Sequence, residues 1–332
     1  MKLATVNYED NNIIVADVGD GRLLPVTWFV DQLSGASPAA EDMLKLIEHW
    51  SDSHAAELHS RLDAARSNSE GLISAKDVTW LPPLTRPGKI CGVAMNNSAS
   101  NDRKIKAPDH PAFFLKPNSC LIGHGADLTV RSYYGSVHPE PELAVVIGGR
   151  IRDAEPEEVM SQVFGYTIFN DVTGNGMRAQ DMFQYYALYP KKDHPDEVER
   201  VEQHLSYAAR YKGTDCFGVL GPWITTADAI ASPDELAVQC FIGEEKIADD
   251  NTSFYNYKVA EVLSFLSYFQ TLSAGDVVSM GTAFKPGATR KSIHHANFLK
   301  VGGPVSIEIE GLGRQENPVI IEERELGRWR LS

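Results

Sequence analysis

Two glutamates one residue apart, Glu140 and Glu142, stand at the head of an apolar run in VHPEPELAVVIGG, residues 137–149. In an extended chain residues i and i+2 share a face, so both carboxylates project together, about 6–7 Å apart along the backbone. Like charges at the edge of a core repel each other and lose hydration. A hard divalent cation relieves both penalties, and Mg²⁺ or Mn²⁺ takes a few carboxylates while keeping positions for water or substrate. Asp171, which closes the apolar stretch FGYTIFN after one intervening helical segment, is the candidate third ligand. A strand–helix–strand excursion of that length can return the chain beside the glutamates. The plainer alternative, a solvent-facing ExE edge and an aspartate in a turn, stays open at this level.

These residues need strands to position them, and the chain supplies many. KICGVAM, AFFLKP, ELAVVIGGRI, FGYTIFNDV, PWITT, AVQCFIG, DVVSMG and VSIEIEG all read as strands. Helices are expected at 154–164 and at 256–272, the latter with Val259, Val262, Leu263, Leu266 and Phe269 on one side. Residues 1–80 read as a small N-terminal α/β domain: three short strands (the third LLPVTWFV), then one helix from Ser37 or Pro38 carrying Met43, Leu44, Ile47, Leu58 and Leu62. The proline-rich LPPLTRPGK, residues 81–89, marks the boundary to a second domain over 81–332. The segment from Met182 reads as a long, partly helical insertion. Its Tyr185, Tyr186, Tyr189 and Tyr207 are assigned to core packing, with a pocket wall or a dimer contact as alternatives. The expected class is α+β. No GxGxxG or GxxxxGK[ST] opens a helix after a strand, so a nucleotide site is not indicated.

The bulk numbers narrow the partners. A net charge of −14 over 332 residues argues against nucleic acid, because no basic patch stands out. No stretch approaches the ~20 apolar residues of a membrane span, and the first residues show no apolar core of a secretion signal. Four scattered cysteines without CxxC spacing read as reduced and structural, which suits a cytoplasmic protein.

Six segments in order, KICGVAMNN, PAFFLKPNSCLIGHG, EPELAVVIG, GYTIFNDVT, KGTDCFGVLGPWI and AGDVVSMGT, resemble the fumarylacetoacetate hydrolase family over roughly residues 81–315. The resemblance implies a mixed β-roll, usually dimeric, with the metal held by Glu140, Glu142 and Asp171. It implies a small anionic 2-oxo-acid substrate chelated by that metal. Lys212, with Asp215 as its partner, would support the developing anion. Lys116 would line the pocket, and the Gly281 N–H and Thr282 hydroxyl would grip the substrate carboxylate.

The departures bear on the reaction. Many members carry N-Y-x-x-H-x-x-E where this chain has NNSASNDR, so Asn97, Ser100 and Arg103 replace the tyrosine and a lid His–Glu pair. Neither Ser100 nor Arg103 transfers protons as that pair does at neutral pH. After Asp171, Asn175 stands at the common arginine and Arg178 at the common glutamine. Arg178 restores a cation suited to clamping a distal carboxylate. His294 and His295, in a cation-rich loop, and His138 are candidates for the missing base. The first expectation is therefore Mg²⁺- or Mn²⁺-dependent hydrolytic C–C cleavage of an acylpyruvate-like acid. The alternative is isomerisation, decarboxylation or dehydration of a 2-hydroxymuconate-like or 2-keto-3-deoxy acid on the same metal. A binding protein that has lost catalysis is the third.

Overall fold

The computed structural model describes residues 1–26, 43–287 and 296–327. A mixed sheet runs through the molecule. Its central strand, Pro141–Ile147, is buried at all seven positions. It pairs antiparallel with Val163–Asn170 on one side and Val277–Thr282 on the other. Val277–Thr282 in turn pairs parallel with Ile90–Ala94, which is followed by antiparallel Ala112–Lys116. A strand buried on both faces reads as the continuous apolar run LAVVI rather than as an alternation.

The two faces of that strand enter different cores. Leu143, Val145 and Ile147 pack with a four-stranded antiparallel sheet, through Val238, Cys240 and Ile307, and with the helix Val259–Phe269. Ala144 and Val146 pack with Met43, Leu46, Ile47 and Leu58 of the N-terminal module. The module also joins the sheet itself: Lys2 and Leu3 of strand Lys2–Tyr8 pair with Thr225 and Ile224. The architecture is α+β, strand-rich with few helices, as expected.

Several local expectations fail for identifiable reasons. The first helix is two, Met43–Glu48 and Asp52–Ser67, because Ser51 starts a new one, its hydroxyl accepting from the His54 N–H at 3.4 Å. Its expected start at Ser37 or Pro38 lies outside the described residues, as does much of the strand expected in LLPVTWFV. The helix expected at 154–164 is a single turn, Pro156–Val159, with a 3₁₀ turn after it, since Val163 and Phe164 are taken into the sheet. In Val259–Phe269, Phe269 is exposed while Val259, Val262, Leu263 and Leu266 are buried.

The segment after Met182 is not helical. It forms an antiparallel hairpin, Phe183–Pro190 with Val198–Leu205, a two-stranded sheet of its own. Alternating Tyr, Leu and Val favour strand over helix. Core packing for its tyrosines is also overturned, because Tyr185, Tyr186, Tyr189 and Tyr207 are all exposed. No helix among the described residues is long and apolar enough to cross a membrane.

Candidate metal centre

Glu140 lies just before strand Pro141–Ile147 and Asp171 just after strand Val163–Asn170, whose register sets Pro141 opposite Asn170. Two bonds lock this corner: the Asp171 N–H donates to the Glu140 carbonyl at 3.0 Å, and the Glu140 N–H donates to Asn170 Oδ1 at 3.0 Å. Antiparallel pairing thus brings the third carboxylate beside the first two. One ligand oxygen from each of Glu140, Glu142 and Asp171 lies within 4.8 Å of the others. These are hard oxygen donors clustered at a buried strand end, a donor set that fits Mg²⁺ or Mn²⁺.

Each carboxylate is held by a different element. Glu142 accepts from the Ser279 hydroxyl at 2.5 Å and from the Gly281 N–H at 3.1 Å, both on strand Val277–Thr282. Burial pushes the Glu142 carboxyl well above the usual range, with Asp171 and Glu140 adding to the effect and Lys212 and Ser279 opposing it. Glu140 accepts from Thr173 Oγ1 at 2.9 Å and stands 3.1 Å from His138 Nε2. Asp171 is gripped by two lysines, Lys116 at 2.5 Å and Lys212.

Lys212 sits on the short helix Ala209–Gly213 and contacts Glu140 at 3.1 Å as well as Asp171. Burial opposes its charge, but Asp171, Glu140 and Glu142 together hold its pKa above the ordinary lysine value. It is therefore an ammonium at neutral pH. Asp215, expected as its partner, is exposed, and the carboxylates within reach of Lys212 are Glu140 and Asp171.

Lys116 does not reach the cavity wall. Its side chain is fully buried, and its three protons go to Asp171 and to the carbonyls of Lys212 and Phe217. The Gly281 N–H is likewise spent on Glu142 rather than turned toward a substrate. Gly281 has φ +84°, and a Cβ there would meet the Val93 carbonyl at 2.8 Å, so glycine is needed for the close approach.

A cavity of about 350 Å³ opens on the centre, with Glu140, Glu142, Thr173, Thr282 and Lys212 in its wall. Arg178, on helix Asn175–Gln180, lines the outer part, its guanidinium 5.9 Å from the centre of the Tyr211 ring. Asn97 and Phe114 also line the wall, Phe114 with its ring centre 5.2 Å from Lys212 Nζ. His138 is fully buried beside Glu140 and Asn175 Nδ2, which makes it a neighbour of a candidate ligand. His294 and His295, and the side chains of Ser100 and Arg103, lie outside the described residues.

Three supporting residues escaped the reading of the sequence. Asn170 and Ser279 act through strand register, which no local motif displays. Thr173 sits two residues past Asp171, where its hydroxyl also bonds the Asp171 carbonyl at 3.0 Å; its spacing was the one available signal.

A three-carboxylate cluster facing a cavity with Lys212 and Arg178 in its wall, carried on a mixed β-roll, is a candidate metal-binding enzyme site. The family model for the C-terminal part of fumarylacetoacetate (FAA) hydrolase matches residues 89–320, and the chain belongs to that family. A mitochondrial oxaloacetate tautomerase of Rattus norvegicus is 30% identical over 250 residues, covering 75% of this chain and 72% of that protein. An uncharacterised protein of Archaeoglobus fulgidus is also 30% identical over 250 residues, covering 75% of this chain and 85% of its own. Among solved structures, a maleylpyruvate hydrolase from Sphingobium, in complex with manganese(II) and pyruvate, aligns at TM-score 0.69 and 23% identity over 97% of this chain and 100% of that one. A 5-carboxymethyl-2-hydroxymuconate delta-isomerase from Mycobacterium smegmatis aligns at TM-score 0.65 and 23% identity, covering 98% and 100%. With the family model matched and a tautomerase among the relatives at 30% identity, the chain is an enzyme of this family.

Proposed function

We propose that this enzyme interconverts the enol and keto forms of a small 2-oxo dicarboxylic acid, with Mg²⁺ or Mn²⁺ held by Glu140, Glu142 and Asp171. The observation that carries the reading is the pairing of two cations in one cavity wall, Lys212 at the carboxylate cluster and Arg178 further out. A bound divalent cation supplies Lewis acidity toward the 2-oxo and adjacent carboxylate oxygens. The residues do the rest. Thr282 offers its hydroxyl to the inner carboxylate, and Arg178 receives the outer one in a charge-assisted pair. Lys212, an ammonium, delivers a proton from Nζ to carbon 3 of the enol, and the amine so formed takes the enol hydroxyl proton as the keto C=O forms, so the proton count balances.

Two points favour this over hydrolysis. The tautomerases among the relatives share more sequence with the chain than the hydrolase does. The segment that would carry a lid His–Glu pair reads NNSASNDR, and its Asn97 lines the cavity. Hydrolytic C–C cleavage remains the second reading, favoured by the likeness in fold to the maleylpyruvate hydrolase. All four cysteines are free and three are buried, which supports a reducing, cytoplasm-like setting.

The test is incubation with Mg²⁺ or Mn²⁺ and an enol-form 2-oxo dicarboxylate in D₂O. Loss of enol absorbance with deuterium appearing at carbon 3 and an intact carbon chain is expected. Accumulation of pyruvate and a second acid would make the enzyme a hydrolase instead.

A further inference from the structure

The two cations of the cavity wall are held in very different ways. Lys212 is bonded directly to Asp171 and Glu140. Arg178 makes no hydrogen bond or ion pair among the described residues; its guanidinium faces the Tyr211 ring, 5.9 Å from the ring centre. Arg178 therefore stands wherever helix Asn175–Gln180 puts it.

That helix has six residues, too few to keep its shape unaided. Its first turn is fastened to the body of the protein. The Gly176 N–H donates to the Ser136 carbonyl at 3.0 Å, and Met177 is buried. Its last turn, which carries Arg178, runs into the hairpin Phe183–Pro190/Val198–Leu205. The hairpin pairs with no other strand among the described residues, so it lends that turn no support.

The support comes from Arg210. It grips Asp181, the residue that ends the Arg178 helix, in a fork: Nε to Oδ2 at 3.0 Å and Nη2 to Oδ1 at 2.7 Å. Nη2 also donates to the Met177 carbonyl at 3.0 Å and to Gln180 Oε1 at 3.1 Å. These acceptors lie on both sides of Arg178 in the sequence. A bidentate guanidinium–carboxylate pair fixes direction as well as distance. A part-exposed pair adds little to stability, so its effect here is geometric.

The other end of this link is firm. Arg210 belongs to the short helix Ala209–Gly213 that bears Lys212. The Lys212 N–H donates to the Ala208 carbonyl at 2.9 Å, and the Thr214 hydroxyl donates to the Arg210 carbonyl at 2.7 Å. Arg210 itself is not in the cavity wall.

We infer that Arg210 is a positioning residue that sets where the Arg178 charge stands relative to the carboxylate cluster, and so sets the preference for a two-ended acid. The inference rests on the reading of Arg178 as the receiver of the outer carboxylate. Without Arg210, Lys212 keeps its own anchors while Arg178 loses its only link to them. Discrimination at the outer end should fall, and binding at the inner end should persist.

Calorimetric titration of the Mn²⁺-loaded chain with 2-oxoglutarate and with 2-oxopentanoate tests this. The second acid carries a methyl group where the first has its outer carboxylate. The unmodified chain should prefer 2-oxoglutarate at least about tenfold. Arg210→Met should cut that preference at least about fivefold, with the dissociation constants for 2-oxopentanoate and Mn²⁺ within about twofold of the original. Arg210→Lys, which keeps the charge without the fork, should fall between. Asp181→Asn weakens the same pair from the other side, and should also cut the preference if Arg210→Met misfolds.

Hydrogen exchange in chelator needs neither metal nor acid. The Asp181 amide, bonded to the Met177 carbonyl at 3.0 Å, should exchange faster in the variants, while the Lys212 amide should not. A preference retained in the folded variants, or an unchanged Asp181 amide, would overturn the inference and leave the reading of Arg178 intact. So would equal losses for the two acids, which would mean a general loosening. No preference in the unmodified chain would overturn the reading of Arg178 and the inference with it.

Discussion

Lys116 holds Asp171 from behind the centre: its Nζ lies 2.5 Å from Asp171 Oδ1, and the same nitrogen donates to the Phe217 carbonyl at 2.9 Å. Both side chains are essentially inaccessible to solvent. The lysine thus ties a candidate metal-ligating carboxylate to the chain segment that carries Lys212. It is a positioning residue.

Removing one partner of a buried pair strands the other, at about 3–5 kcal/mol. Lys116→Met should lower the unfolding free energy by less than that amount, because Lys212 still pairs with Asp171, in denaturant titrations run with chelator present. Saturating Mn²⁺ should recover part of the loss, since the metal supplies Asp171 with a counter-charge. An unchanged unfolding midpoint would mean that Asp171 does not depend on Lys116.

In the proposed reaction Lys212, which lines the cavity, acts on the substrate itself. Lys212→Gln should cut turnover about 10²–10³-fold, with melting temperature near that of the unmodified enzyme in saturating metal. Stopped-flow decay of enol absorbance measures it. Turnover within a fewfold of the original would remove Lys212 from the proposed proton path.

Arg178 decides substrate length in this reading. A charged hydrogen bond contributes about 1.5–3 kcal/mol, so Arg178→Met should raise KM for a 2-oxo dicarboxylate about 10–100-fold. KM for a monocarboxylate of similar size should stay put. Equal losses for both substrates would assign the arginine a structural role.

Gly281→Ala should be costly without touching any ligand directly. The left-handed φ of +84° and the Val93 carbonyl 2.8 Å from the added methyl force the strand end to move. About 1–3 kcal/mol of stability should go, together with metal affinity, because Glu142 loses the Gly281 N–H. Calorimetric titration with Mn²⁺ reads the second effect.

The thiols give a chemical check on the core. Burial pushes Cys91 up to about 12 and Cys120 up to about 11, and it raises Cys240 as well. A raised pKa leaves little thiolate at pH 8 and shifts the onset of reactivity to more alkaline pH. A thiol-specific disulfide reagent should therefore find only half-buried Cys216 in the native protein, slowly, and all four after denaturation. Rapid reaction of two or more would mean that the core is looser than described.

The convergence of the three carboxylates was legible because it obeys local rules. Glu140 and Glu142 are separated by the strand period, and Asp171 sits where an apolar stretch ends. The strands that carry them were legible for the same reason. What supports the cluster was not, because Asn170, Ser279 and Lys116 act through sheet register and long-range packing. Asp215 misled because it lies in a motif next to Lys212, while in space the lysine turns to Asp171 and Glu140. The hairpin was misread because its mixture of aromatic and charged residues suits either a two-sided exposed strand or an amphipathic helix. Its exposure follows from the absence of any sheet for it to join among the described residues.

The edge-to-edge pairing of Lys2 and Leu3 with Thr225 and Ile224 bears on how the enzyme comes apart. With Ala144 and Val146 of the ligand-bearing strand packed against Met43 and Leu58, residues 1–80 act as a wall of the same building rather than an annex. A truncation starting at residue 81 would bare a row of unpaired amides and an oily face at once, inviting aggregation. Heating the intact chain should show one cooperative transition, because the described residues of the N-terminal module share both a sheet and a core with the central strand.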